Sequence, residues 1–126
     1  MDNPGAFGRK SKSYTKKGKN CYTRKIVILV DEDTQSQSEF CAMSFRTNPQ
    51  SIVVGNTTAG ADGNVTSVTL PGGIQTMFSG LGVYYPDGTE TQRVGIIPDV
   101  YVWPTVQGLR EGRDEILEKA LEILSR

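Results

Sequence analysis

Ser36 is the residue whose type and setting could do chemistry. It lies in Asp33-Thr34-Gln35-Ser36-Gln37-Ser38-Glu39-Phe40, directly after the apolar run Lys25-Ile26-Val27-Ile28-Leu29-Val30. The pattern reads as a buried strand, a short turn and the first turn of a helix. A hydroxyl at such a junction sits beside the unpaired N–H groups that open a helix, where the helix dipole favours negative charge. A serine there can attack as a nucleophile and have its developing oxyanion met by backbone donors. Ser36 and Glu39 also fit a capping box, in which the serine hydroxyl takes the third helical N–H and the glutamate reaches back to the cap. Capping is the commoner use of such a pair, so the local pattern needs the rest of the chain to decide it.

The partners such a serine would need are scarce. The chain contains no histidine, so no Ser-His-Asp triad, imidazole base or His-containing zinc site can be completed within it. Asp31-Glu32-Asp33 closes the strand, but consecutive carboxylates on a turn point in different directions, and no distant ligand pattern supports a metal. No cofactor or metal is expected. Cys21 and Cys41 lack CxxC spacing and imply no disulfide framework; Cys41 is expected in a core helix.

The 126 residues fit one domain or part of one. No apolar run approaches the ~20 residues of a membrane span. Met1 leads into Asp2-Asn3-Pro4-Gly5 without the apolar stretch of a signal peptide. Net charge is zero, yet eight of the fourteen basic residues fall in the first 25 positions, where Asp2 is the only acid. With thin aromatic interleaving and no base-reading motif after it, this cluster reads as a solvated, flexible basic leader over residues 1–22 rather than a nucleic-acid arm.

The elements that must hold Ser36 follow in order. Tyr22 to Val30 is expected as a strand buried on both faces, as in a parallel or mixed sheet covered by helices. Gln37 to Arg46 reads as a buried helix stopped by Asn48-Pro49, and Ser51 to Gly55 as a second buried strand. Thr57 to Gly63 is a glycine-punctuated loop without the ending of a phosphate-binding loop. Asn64 to Leu70 and Ile74 to Phe78 form a hairpin around Pro71-Gly72-Gly73. Leu81 to Tyr85, Gln92 to Ile97 and Asp99 to Trp103 read as further extended pieces. Arg110 to Leu124 carries apolar residues at helical spacing, with Glu115 and Lys119 paired at i,i+4.

Taken in this order, the segments resemble the catalytic domain of the carboxyl-terminal processing (tail-specific) serine peptidases, over roughly Lys25 to Leu124. Thr34-Gln35-Ser36-Gln37-Ser38-Glu39 stands where that family has a Ser-Ala-Ser-Ala-Ser-Glu type of motif. Val53-Val54-Gly55, Thr58-Ala59-Gly60, Leu70-Pro71-Gly72-Gly73, Tyr84-Tyr85-Pro86-Asp87-Gly88 and Gly95-Ile96-Ile97-Pro98-Asp99 follow at matching spacing. The resemblance implies an α/β fold of the Clp-protease and crotonase group, a mixed sheet with flanking helices. It makes residues 23–126 the carboxyl-terminal part of a catalytic domain, an incomplete one.

It further implies Ser36 as nucleophile, the Gln37 backbone N–H as an oxyanion donor, and Gly60 and Ala61 as the loop lining the site. Many members carry a lysine general base where this chain has Ala61, and alanine cannot deprotonate a serine. Asp62 is the nearby alternative. The expected activity is hydrolysis of peptide bonds in protein or peptide substrates, with segments upstream of this chain required. The parent is expected to be exported, in the periplasm or cell envelope. The rival is a catalytically inactive module of the same fold that binds peptide or self-associates through an unpaired sheet edge and apolar surface.

Overall fold

The computed structural model describes residues 22–126, so the expected leader, apart from Tyr22, lies outside the described residues. Two strands form the base of the site. β1, Ile26–Val30, and β2, Ser51–Gly55, pair in parallel with Ile26 opposite Ser51 and Val30 opposite Gly55. Between them runs α1, Gln37–Arg46, the crossover that a parallel pair requires. β1 begins four residues later than the sequence suggests, because the partner strand begins only after the Asn48–Gln50 turn. It also lies at the edge of the sheet, with Leu29 43% exposed rather than buried.

β3, Val65–Thr69, and β4, Gln75–Ser79, form the expected hairpin as a separate antiparallel two-stranded sheet. β5, Val100–Tyr101, adds two residues parallel to β2 and is bracketed by Pro98 and Pro104. The pieces expected at Leu81–Tyr85 and Gln92–Ile97 are not strands; a lone antiparallel bridge joins Tyr84 of the first to Glu90, just before the second. Scattered backbone hydrogen bonds, such as Tyr85 N to the Thr89 carbonyl at 2.9 Å, join side-chain ones in holding them. Gln92 Nε2 donates to the Asp62 and Leu81 carbonyls at 2.8 and 2.9 Å, and Thr91 Oγ1 donates to the Val83 carbonyl at 3.1 Å.

A short helix that the pattern did not suggest, α2 (Val106–Arg110), comes first, and the carboxyl-terminal helix expected over Arg110 to Leu124 is α3 (Glu115–Ser125), starting five residues later than expected. Gly112 at φ 68° turns the chain, and the Asp114 carboxylate then accepts from Leu117 N at 2.9 Å as a fresh N-cap. Glu115 does not pair with Lys119. It accepts from the Thr105 N–H and hydroxyl at 2.5 and 3.1 Å, tying α3 to the start of α2, while Lys119 bonds Glu122.

α1 and α3 pack on β1 and β2. The core gathers Val30, Ala42, Met43, Val53 and Ile96, with Ile28, Val83 and Tyr85 against it. Burying side chains such as Val53 and Ile96 stabilises by ~1.5–3 kcal/mol each. α1 is therefore not buried all round. Glu39, Ala42 and Met43 face inward, whereas Phe40, Cys41 and Phe45 are exposed, which corrects the expectation of a core position for Cys41. Among the described residues no helix is long and apolar enough to cross a membrane.

Candidate functional site

Ser36 is the N-cap of α1, at the carboxyl end of β1, and is exposed. Its backbone has φ 54° and ψ −122°, a left-handed φ combined with a ψ outside the left-handed helical basin. Such a conformation costs on the order of 1–3 kcal/mol in a non-glycine residue, and persists only where the surroundings impose it. A strained strand-to-helix turn also presents the serine in the nucleophile elbow of α/β-hydrolases. Just upstream, Thr34 Oγ1 donates to Asp31 Oδ1 at 2.7 Å and Thr34 N donates to the Asp31 carbonyl at 3.1 Å, closing a tight turn. Of the three acids only Asp31 shapes that turn, while Glu32 Oε2 accepts from Asn56 Nδ2 at 3.2 Å, and among the described residues no metal-binding group of three His, Cys, Asp or Glu forms.

Glu39 imposes the geometry. It lies one turn into α1 and is fully buried. Its Oε2 accepts from Ser36 N at 3.2 Å and from Ala61 N at 2.9 Å; its Oε1 accepts from Gly60 N at 2.9 Å and Thr58 Oγ1 at 2.5 Å. A buried carboxylate is costly unless every lone pair finds a donor, and four donors meet this one. The glutamate half of the capping box is thus made. The serine half is only approached, since the Ser36 hydroxyl faces the same turn without closing a cap hydrogen bond.

One oxygen atom separates the Ser36 and Ala61 nitrogens, so the structure brings Ala61 beside the serine. The Gly60 and Ala61 N–H groups both point at Glu39 and are not free to stabilise an oxyanion. The Gln37 N–H is different: among the described residues no acceptor meets it.

The loop is pinned from its far side as well. Ala59 N donates to the Thr34 carbonyl at 3.0 Å, Ile96 N donates to Thr58 Oγ1 at 2.7 Å, and Arg93 N donates to the Gly60 carbonyl at 2.7 Å. Backbone meets backbone here: a Cβ on Gly95, which has φ 78°, would lie 2.4 Å from the Thr58 carbonyl oxygen. The Gly95-Ile96-Ile97-Pro98-Asp99 stretch is accordingly a buttress. Asp99 Oδ2 accepts from Val53 N at 2.8 Å, and its Oδ1 meets Arg46 Nη2 at 2.7 Å, linking β2 to the end of α1.

Asp62 follows the loop and is buried. Its Oδ1 accepts from Gly63 N at 2.7 Å, while its Oδ2 is buried without a partner among the described residues. Burial, with a smaller contribution from the Glu39 charge, pushes its carboxyl above the ordinary aspartate range, against the lowering effect of the Gly63 N–H.

Sequence reasoning missed the reach of Glu39 to the loop and the role of Thr58. One signal was present: Glu39, Ala42 and Met43 stand at i, i+3 and i+4, so the helix face that packs inward carries an acid.

The family model described as peptidase family S41 matches residues 4–102. A solved structure of a candidate peptidase from Parabacteroides merdae superposes with a TM-score of 0.75 at 31% identity, over 82% of this chain and 32% of that one. Mature CPAF gives a TM-score of 0.68 at 27% identity, over 79% of this chain and 20% of that one. The photosystem II D1 C-terminal processing protease gives 0.51 at 28% identity, over 64% and 21%. An uncharacterized protein of Chlamydia muridarum is 28% identical over 109 residues, which are 83% of this chain and 18% of the relative, so the chain spans under a fifth of that curated relative's length. With its strand–turn–helix serine site built on this fold, the chain belongs to peptidase family S41 and carries a serine peptidase-type domain.

Proposed function

We propose that Ser36 is the nucleophile of a peptidase that hydrolyses peptide bonds near the carboxyl termini of proteins. The hydroxyl attacks the carbonyl carbon, its proton passes to a base, and the Gln37 N–H donates to the resulting oxyanion. The carrying observation is the backbone of Ser36: an exposed serine at a helix start, held at φ 54° beside a buried carboxylate, has strain of the kind that clusters at functional sites. Ala61 occupies the position beside the serine and the chain contains no histidine, so the base is Asp62 of the same loop or a group from segments beyond this chain.

The same two observations favour a second reading, an inactive module that binds peptide or self-associates. A fluorophosphonate probe read by intact mass separates the two, applied to this chain, to the chain joined to an upstream half-domain, and to Ser36→Ala of each. The expected result is an adduct on the extended protein that Ser36→Ala abolishes. An extended protein that folds and gains no adduct overturns the peptidase reading in favour of the module.

A further inference from the structure

We propose that Glu39 is a positioning residue for the nucleophile: its carboxylate sets the turn at Ser36 and the loop at Gly60–Ala61 as one unit, and neither holds its geometry without it. The inference rests on the reading of Ser36 as nucleophile. A helix cap needs Glu39 to do no more than accept from Ser36 N. The structure has it accept from three further donors twenty or so residues away in sequence, Thr58 Oγ1, Gly60 N and Ala61 N. The oxygen that holds Ser36 N also holds Ala61 N, so a shift at one is felt at the other.

Thr58 extends the unit, since its hydroxyl donates to Glu39 and accepts from Ile96 N, where the chain returns from the Tyr84–Glu90 turn. Every partner of Glu39 is a donor, so it serves as an acceptor throughout and moves no proton to or from Ser36. Its effect on the reaction is geometric. A misplacement of the order of an ångström at a reacting group can cost ~100-fold in rate.

Glu39→Gln tests this, because the carboxamide keeps the shape and replaces one acceptor oxygen with an NH2 group that faces donors. The first readout is hydrogen exchange of backbone amides in this chain as it stands. We expect Ser36, Gly60 and Ala61 to lose protection together, by about tenfold or more, with β1 and β2 unchanged. Protection retained at Gly60 and Ala61 would reduce Glu39 to a cap and overturn the proposal.

The second readout is the rate of fluorophosphonate labelling against pH in the extended protein. The expected outcome is a fall of roughly 10–100-fold with the inflection of the profile unmoved. A moved inflection, or a rate that falls only with the folded fraction, also overturns it. Thr58→Val, which removes one donor and leaves three, carries the same two measurements if Glu39→Gln does not fold. An extended wild-type protein that takes no label refutes Ser36 as nucleophile, while the exchange pattern still decides whether Glu39 holds turn and loop together.

Discussion

The Glu39 cluster and the β3–β4 hairpin are opposite solutions within one chain. Around Glu39, polar groups are buried and paired: Glu39 and Thr58 are almost wholly inaccessible, and short hydrogen bonds join residues far apart in sequence. In the hairpin all ten strand residues are exposed, on both faces, and no charged residue occurs from Gly63 to Pro86. Val68, Leu70, Ile74 and Phe78 lie in the open. A two-stranded hairpin holds its shape only weakly in water. Rigidity in this molecule thus comes from where backbone donors find a buried acceptor, more than from where apolar side chains are most abundant.

Substitutions sharpen or break that contrast. The largest effect is expected for Gly95→Ala, which forces a side chain against the Thr58 carbonyl at a positive φ; it should lower stability by ~3 kcal/mol or more, seen as a thermal midpoint well below wild type. Ile96→Ala empties a fully buried position and should cost about 2–5 kcal/mol in urea unfolding. Phe78→Ala, of similar or greater loss in volume, should stay within about 0.5 kcal/mol, since Phe78 is 54% exposed. Equal losses for Ile96 and Phe78 would erase the contrast.

The smallest effect is electrostatic. Because the folded state raises the Asp62 carboxyl above its ordinary value, the protonated form is favoured by folding. Its contribution is fully present below the unfolded aspartate range and is lost as pH rises through the raised value. Asp62→Asn stays neutral and should lack that loss, so wild type should fall relative to the variant as pH climbs from about 4 toward neutrality. Parallel stability profiles would refute this.

Much of the frame was legible in the sequence, for local reasons. Gln37–Arg46 and Ser51–Gly55 match their expected bounds, because the helix has a cap signal and a proline stop and the strand has a short β-branched run. The hairpin followed from alternation around Pro71-Gly72-Gly73. What failed depended on distant partners. The stretch from Leu81 to Ile97 has strand-like composition, yet turn-type backbone hydrogen bonds and the Gln92 and Thr91 side chains hold it, which no periodicity reveals.

The late start of α3 was missed although Gly112 and the cap residue Asp114 precede its first apolar residue, Ile116. The α3 residues divide into Ala120 facing inward and Leu117, Leu121 and Leu124 facing out, a split that only the position of the sheet decides. At the site, the place of Ser36 at the start of α1 was readable from its setting. The loop partners of Glu39 were not, since nothing local ties a helix residue to Thr58 or Gly60.

Because one carboxylate must gather donors from two separate stretches, the second of them held in turn by a third, the serine turn is finished late. A growing chain that has emerged through α1 has Ser36 and Glu39 side by side, but the loop that completes the carboxylate is some twenty residues further on, and the Ile96 N–H that holds Thr58 is further still. Until those arrive, Glu39 is an ordinary solvated side chain and Ser36 is free to relax to an unstrained backbone. The strained conformation of Ser36 is thereby coupled to completion of this part of the chain.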